Sequence, residues 1–275
     1  MLYFIPTPIG NLKDISKRSL ELLSQIQTFF CEDTRVTKQL LTLLGKEYNL
    51  EFKDKTFISL HSWNEDRVIE SLDLTIFEKE CAYLSDAGMP SISDPGAKLV
   101  KFCQENSILY EVLPGANAAL LAYASSGFLN SRFIFYGFLP TKEKALQNEL
   151  EEILSNKYPT IIYEAPHRIL KTLTLLSNLA PLREVFLLKE ATKKFHKHFF
   201  GTTLEVKKEL ENSNLKGEWA LVIKETKEES STSNIKVEDI MELNLPPKEK
   251  AKLLSKLTKI PTKQWYNELQ TTPLK

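Results

Sequence analysis

Leu84-Ser-Asp-Ala-Gly-Met-Pro-Ser-Ile-Ser-Asp-Pro-Gly96 is the stretch on which the reading of this chain turns. It follows a short apolar run, Cys81 to Leu84, that reads as a buried strand. It precedes Ala97 to Gln104, whose Leu99, Val100 and Cys103 predict one apolar face of a helix. A strand emptying into a loop of Gly, Pro, Asp and Ser and then into a helix is where α/β proteins place ligand sites. Gly88 and Gly96 allow close backbone approach, and Pro90 and Pro95 stiffen the loop. Asp86 is suited to answering a positive charge. Ser93 or Asp94 is placed to cap the helix. A well-made turn with no ligand satisfies the same pattern.

Working outward, the first third of the chain alternates strand-like and helix-like pieces. Leu2 to Ile5, Thr28 to Cys31, Thr56 to Leu60, Cys81 to Leu84 and Ile108 to Leu113 read as strands. Between them, a helix capped by Asp14, a helix from Thr34 ending at Gly45, and a mostly helical Asn64 to Phe77 are predicted. This alternation implies a mostly parallel sheet covered by helices. Pro114-Gly-Ala-Asn117 opens a small-residue helix, Ala118 to Ser126. A second α/β pattern follows, with strands at 133–136, 160–163, 184–188 and 219–223 and helices at 142–154, 168–179 and 203–212. The expected organisation is an N-terminal α/β domain over 1–113, a second over 114–225, a linker at 226–235 and a helical appendage over 236–275. The appendage holds six lysines and one glutamate between Lys248 and Lys263, a solvated helix face or a polyanion contact.

With 275 residues the chain is long enough for more than one domain. Lys+Arg and Asp+Glu both total 36, which argues against bulk electrostatic attachment to nucleic acid or membrane but allows a local basic surface. Cys31, Cys81 and Cys103 lie in apolar runs without CxxC spacing, so buried free thiols in a reducing compartment are expected. No apolar run approaches membrane-spanning length, and MLYFIPTPIG lacks the basic residues of a signal peptide. A cytoplasmic protein is expected. GxGxxG after a strand, GxxxxGK[ST] and GxSxG are all missing, which disfavours nicotinamide, P-loop and serine-hydrolase chemistry. His61, His167, His196 and His198 are too scattered for a closed metal site, and no metal is expected.

What remains is a set of strand-end loops carrying both charges, suited to a small charged organic ligand. TPIGNLKDIS (7–16), CEDTR (31–35), LSDAGMPSISDPG (84–96), LPGANAALLAYASSG (113–127), FYGFLP (135–140), YEAPHR (163–168), KEATKKFHKHFFG (189–201) and KGE (216–218) stand in order. In these motifs the chain resembles the tetrapyrrole-methylase superfamily, the class III S-adenosylmethionine-dependent methyltransferases. Within that superfamily it is similar to the ribosomal RNA small subunit methyltransferase I family. The resemblance runs from about residue 2 to 224. Met89 stands where the family usually has Thr, and His196 where it often has Glu.

The resemblance implies a two-domain tetrapyrrole-methylase-like fold with a cofactor cleft between the domains. It implies S-adenosylmethionine as cofactor, methylation of a cytidine 2′-hydroxyl in small-subunit (16S) ribosomal RNA, the RNA or the small ribosomal subunit as partner, and a homodimer. The cofactor would be held by Pro8, Ile9, Gly10, Asp86, Gly88, Met89, Ile92, Ser93, Ala118, Ala119 and Tyr163. Glu32, Asp33, Arg35, Glu164, Arg168 and Lys189 are the candidates for work on the substrate, Arg35 and Arg168 as phosphate or ribose contacts. For Glu164 and Arg168 a strand-end ion pair is the competing account, and for Ala118 and Ala119 close helix packing. Lys193, Lys194 and Lys197 are expected to face solvent or RNA, with Phe195, Phe199 and Phe200 in the core. A tetrapyrrole or small-molecule methyltransferase and a non-catalytic RNA-binding relative are the alternatives.

Overall fold

The computed structural model describes residues 1–226, 237–258 and 260–271. The expected linker, from residue 227 onward, lies outside the described residues. Its first residue, Thr226, is held in place. Arg183 donates to the Lys224 carbonyl and the Thr226 hydroxyl, both at 2.8 Å, and these bonds fasten the segment down. The chain divides into two compact units, Met1–Thr226 and Lys227–Lys275.

The first unit holds two five-stranded sheets. The first is built from β1 (Leu2–Phe4), β2 (Thr28–Cys31), β3 (Thr56–Ser59), β4 (Cys81–Leu84) and β5 (Tyr110–Val112), in the order β3-β2-β4-β1-β5 and parallel throughout. Its strands are apolar at successive positions because both faces are covered. Tyr3, Ile5, Phe29 and Ala82 pack to one side, and Leu2, Phe4, Phe30 and Tyr83 to the other.

The helices around it depart from expectation at their ends. Asp14 is not a cap: it closes a short 3-10 turn, Leu12–Asp14, whose cap is Asn11. The helix α1 (Lys17–Gln25) starts from Ser16, whose hydroxyl accepts the Ser19 amide at 3.0 Å. The helix α2 (Thr34–Tyr48) runs through Gly45 rather than ending there and stops at left-handed Asn49. Gly45 serves a close approach, because a Cβ there would lie 2.8 Å from the Leu50 carbonyl oxygen. The expected helix over 64–77 divides into α3 (Glu65–Glu70) and a 3-10 turn. The helix α4 (Ala97–Glu105) starts from Gly96 without a side-chain cap, so neither Ser93 nor Asp94 takes that role.

The helix α5 (Ala118–Ser126) leads into the second sheet. Asn117 caps it by accepting the Leu120 amide at 3.0 Å, and left-handed Gly127 ends it. The second sheet comprises β6 (Ile134–Phe138), β7 (Thr160–Glu164), β8 (Glu184–Lys189), β9 (Lys197–Thr202) and β10 (Trp219–Ile223) in the order β6-β7-β10-β8-β9. Only β6 and β7 pair in parallel; the other ladders are antiparallel. The helices α6 (Glu143–Ser155), α7 (Ile169–Leu179) and α8 (Thr203–Glu211) connect these strands. One face of the sheet packs on Ala119 and Ala122 of α5, where small side chains bring helix and strands close together. β9 lies at the sheet edge. Along it Phe199 turns inward while Phe200 is 58% exposed, and Phe195 ahead of the strand is 69% exposed. The expectation that all three phenylalanines are core therefore holds for Phe199 alone. An edge strand has only one neighbour and one covered face at this position.

The second unit holds α9 (Val237–Glu242), α10 (Pro247–Thr258) and α11 (Thr262–Thr271). Lys250 does not join a basic surface: it is buried and donates to the Met241 carbonyl at 2.6 Å. Lys248, Lys252, Lys256 and Lys263 are exposed, and Lys259 lies outside the described residues. Among the described residues no helix is long and apolar enough to cross a membrane, and no group of His, Cys, Asp and Glu is arranged to hold a metal. All three cysteines are buried and free.

Candidate functional site

The parallel register aligns Phe4 with Tyr83 and Val112, and Cys31 with Leu84, so the loops after these strands leave from one edge of the first sheet. β4 lies between β2 and β1. Its loop, Ser85 to Gly96, is tied to both neighbours. On the β1 side, Thr7 and Gly88 exchange amide-to-carbonyl bonds of 3.0 Å, and the Gly88 amide also reaches the Thr7 hydroxyl at 3.0 Å. Gly88 sits at φ +85°, where a glycine is required, and a Cβ would meet Ile9 at 3.1 Å. On the β2 side, the Asp33 amide donates to Asp86 at 3.1 Å, and the Asp86 amide donates to Glu32 at 3.3 Å. Asp86 thus holds two loops together. It does not line the cavity beside them.

That cavity is about 350 Å³. Ile9, Gly88, Met89, Ile92 and Ser93 line it from the loops of the first sheet. Ala118 and Tyr163 line it from the second-sheet side. Pro8, Gly10, Asp86 and Ala119 do not. Ala119 is packed under α5, and its amide donates to the Tyr163 hydroxyl at 3.0 Å, which leaves that helix-end donor occupied. Gly10 serves another contact: a Cβ there would lie 2.4 Å from Lys193 Cγ and 2.7 Å from the Ala191 carbonyl oxygen. The sequence reading missed Asp94, Phe138, Leu188, Ala191 and the Glu218–Ala220 segment, all on the wall. Their motifs, FYGFLP, KEATKK and KGE, were visible as strand ends. Which strands turn toward the loops of the first sheet was not.

The strip at 190–196 closes part of this wall under backbone strain. Glu190 and Thr192 have φ of +50° and +62°, and a β-branched residue rarely adopts the left-handed region. The Glu190 carboxylate accepts the Glu218 amide at 2.9 Å, and His196 Nδ1 accepts the Thr192 amide at 3.1 Å. Lys193 is ion-paired with Glu190 and Glu218 rather than free in solvent. Lys194 and Lys197 are exposed, the latter 3.2 Å from Glu209.

The expected substrate residues divide. Glu164 is fully buried, and its carboxylate accepts the Ala165 amide at 2.8 Å and the Thr172 hydroxyl at 2.7 Å while pairing with Arg168 Nε at 3.1 Å. Arg168 also donates to the carbonyls of Leu139 and Pro140, at 3.0 and 2.9 Å. These two form an ion pair that fixes the loop after β7. Lys189 is buried against Trp219 with its ammonium on the Asn214 carbonyl. Arg35 is exposed and grips Asp33 through Nε and Nη2 at 3.1 and 2.7 Å, which holds the Asp33 carboxyl down at about 2. Glu32 stays beside the cavity loops.

Around Glu32 the field is acidic. Burial, and after it the neighbouring carboxylates, push Glu32, Asp86 and Asp94 above the usual carboxylate range; backbone or hydroxyl bonds oppose this in each case. Tyr83 is fully buried at the end of β4, and its hydroxyl has no partner among the described residues. Burial raises it strongly, and Glu32, Asp94, Glu65 and Asp86 add to the effect.

Three comparisons bear on this geometry. The sequence model of the tetrapyrrole (corrin/porphyrin) methylases matches residues 1–207. A ribosomal RNA small subunit methyltransferase I of Campylobacter fetus is 52% identical over 272 residues, covering 98% of this chain and 100% of its own. A protein of the same name from Helicobacter pylori is 42% identical, covering 97% of this chain and 96% of its own. Among solved structures, the uroporphyrin-III C-methyl transferase of Thermus thermophilus, in complex with S-adenyl homocysteine, matches with a TM-score of 0.53 at 15% identity, covering 80% of this chain and 96% of that one. That last likeness speaks for the fold.

Proposed function

This chain belongs to the tetrapyrrole methylase family and, within it, to the ribosomal RNA small subunit methyltransferase I group, and from that membership we propose that it transfers a methyl group from S-adenosylmethionine to a cytidine 2′-hydroxyl of small-subunit (16S) ribosomal RNA. The observation that carries the reading is the end-to-end likeness to relatives of that name. The cavity supplies a place for the cofactor. Its volume is at the small end of the range for organic ligands, about 300–1,000 Å³. Tyr163, Leu188 and Ala220 offer flat apolar walls for an adenine, and Asp94 and Glu218 put carboxylates on the same cavity for a sulfonium and an ammonium.

When bound, the cofactor supplies an electrophilic methyl with a neutral thioether as leaving group. The protein's share is to hold the acceptor oxygen in line and to exclude water. The Thr7–Gly88 bridge and the Glu32–Asp86–Asp33 ties fix the floor, and the strained 190–196 strip fixes the side wall. Ile92 and Phe138 line the cavity yet are half or more exposed, so they form an apolar rim on which a nucleobase would lie. Arg35, Lys194 and the exposed Phe195 and Phe200 are the surface groups suited to phosphates and bases. Residues 1–113 and 114–225 act as the two halves around the cofactor, and the lysines of 236–275 add RNA affinity. The working unit is a cytoplasmic homodimer, a state that sedimentation would check.

The test is transfer of labelled methyl from S-adenosylmethionine to small ribosomal subunits lacking their native methylations, followed by nucleoside analysis. Labelled 2′-O-methylcytidine is expected. Transfer to a porphyrinoid but not to RNA would replace this reading with a small-molecule one. Tight cofactor binding without transfer to either would point to a non-catalytic RNA-binding relative.

A further inference from the structure

A ribose hydroxyl reaches a methyl held inside a cavity only when its nucleotide leaves the base stack, and the neighbouring bases then lose a stacking partner. An aromatic face offered by the enzyme offsets that loss. Trp63 has the form of such a face, being 96% exposed. The other two tryptophans are placed differently. Trp219 is buried and its Nε1 donates to the Leu215 carbonyl at 3.0 Å, while Trp265 is half-buried with its Nε1 on the Thr258 hydroxyl at 2.7 Å. The Trp63 Nε1 has no hydrogen-bond partner among the described residues. An indole that stays in water contributes almost nothing to folding.

The chain nevertheless builds a closed turn beneath it. Asn64 ties the turn twice: its Oδ1 accepts the His61 amide at 2.8 Å, and its Nδ2 donates to the Ser59 carbonyl at 3.1 Å. His61 Nδ1 accepts the Trp63 amide at 3.3 Å, and the His61 carbonyl accepts the Asn64 and Glu65 amides at 3.0 and 2.9 Å. The parallel register of β2 and β3 matches Cys31 with Ser59, so this turn leaves from the same sheet edge as the cavity loops. It is also braced on one of them. Glu65 is buried, and its carboxylate accepts the Gly96 amide at 2.9 Å. Gly96 ends the 84–96 loop, whose Met89, Ile92 and Ser93 line the cavity. The indole is therefore carried on the same frame as the loop that lines the cavity.

The charges beside it suit a polyanion. Arg67, four residues on, is exposed and has no ion pair or hydrogen bond from its side chain among the described residues. Arg35, exposed on the neighbouring loop after β2, uses Nε and Nη2 on Asp33 and leaves Nη1 without a partner among the described residues. Asp66 is 2.7 Å from Lys98, which offsets its charge. We propose that Trp63 is a stacking platform for an unpaired base of the RNA flanking the methylated nucleotide, an inference that rests on the RNA reading of the substrate. The base lies on the indole face, and Arg67 meets an adjoining phosphate. Trp63 touches neither the cofactor nor the reacting atoms; it positions the RNA.

The experiment compares the full-length wild type with Trp63→Ala, Trp63→Leu and Trp63→Phe. Single-turnover methyl transfer is measured over a range of concentrations of unmethylated small ribosomal subunits. S-adenosylhomocysteine calorimetry and a thermal scan accompany each protein. Trp63→Ala is expected to bind S-adenosylhomocysteine within about twofold of wild type and to melt with it, while the subunit concentration for half-maximal rate rises by about 5- to 150-fold. The rate at saturating subunits should stay near wild type. Trp63→Leu keeps apolar area without a π-face and should behave like Trp63→Ala, whereas Trp63→Phe should recover most of the affinity. Wild-type half-saturation by Trp63→Ala overturns the inference. So does wild-type half-saturation by Trp63→Leu, because an apolar contact with a ribosomal protein would then occupy the site. A fall in melting or in S-adenosylhomocysteine affinity that accounts for the lost transfer also overturns it, because Trp63 would then support the fold. Wild type that methylates a porphyrinoid but no RNA removes the substrate reading, and this inference with it; wild type that methylates RNA as well as Trp63→Ala does removes this inference alone.

Discussion

Replacing Gly10 by alanine adds one methyl group at a point where two loops nearly touch. The new Cβ would lie 2.4 Å from Lys193 Cγ, 2.7 Å from the Ala191 carbonyl oxygen and 2.8 Å from Thr192 Oγ1. The lysine stem is able to swing away. The Ala191 carbonyl is backbone and moves only with its loop, which is pinned by the Asn11 amide on Thr192 Oγ1 at 3.1 Å and by the His196 bond. Overpacking of this kind costs about 1–3 kcal/mol. Ala191 is part of the cavity wall, so the loop has to leave the geometry that binds ligand. If relief of the clash is coupled fully to binding, S-adenosylhomocysteine affinity falls by about 5- to 150-fold. If the strain is retained in the folded state, the melting temperature drops by about 2–4 °C per kcal/mol. Calorimetric titration and a thermal scan on one preparation separate the two. Gly127→Ala is the control. That glycine sits at φ +70° with nothing within 4 Å of a Cβ, so the variant loses about 1 kcal/mol of stability and no affinity. A Gly10→Ala protein with wild-type affinity and wild-type melting would refute the tight approach and, with it, the role given to the 190–196 strip.

The Glu164–Arg168 pair predicts a large stability effect from Arg168→Met, about 3–5 kcal/mol in urea unfolding, because a fully buried carboxylate loses its cation. Adding Glu164→Gln should return much of it; a single variant as stable as wild type would show that the pair is not structural. Glu32→Gln is expected to be more stable than wild type at pH 8. The folded-state pKa of Glu32 lies above its unfolded value, so the ionised side chain opposes folding above that pKa. The opposition fades as pH falls through the folded value and is gone below the unfolded one, about 4.3. Equal melting gains at pH 4 and pH 8 would contradict this. Phe195→Ser and Phe200→Ser should each change stability by less than about 0.5 kcal/mol, being exposed. Each should weaken RNA binding by about 1–3 kcal/mol where a base stacks on the ring, and unchanged RNA affinity in filter binding would place the RNA elsewhere.

Much of the architecture was legible because local pattern and tertiary demand agree. The runs Thr28–Cys31, Cys81–Leu84 and Trp219–Ile223 are strands at the predicted positions, since each is short and largely apolar. Asn117 caps α5 where a side-chain acceptor stands just ahead of a small-residue helix. The misread ends have specific causes. Gly45 resembles a stop, yet it is retained inside α2 because Leu50 presses on it. Asp14 resembles a cap, yet extended Ile15 separates it from α1 and gives the start to Ser16. Phe195 and Phe200 look like core side chains because an aromatic run does not state which strand lies at a sheet edge.

The site divides along the same line. The sequence by itself determined that the loop 84–96 follows a buried strand, that Gly88 and Gly96 take backbone conformations suited to glycine, and which family the motifs resemble. These follow from residue type and short-range spacing, which act over a few bonds. Only the tertiary structure decided which carboxylates are used up. Asp86 and Glu32 are drawn into loop ties, Glu164 is consumed by Arg168 and Thr172, and Asp94 is left on the cavity wall. A carboxylate's role depends on the donors and charges within a few ångströms of it. Those neighbours come from strands far apart in the chain, brought together by sheet register rather than by sequence.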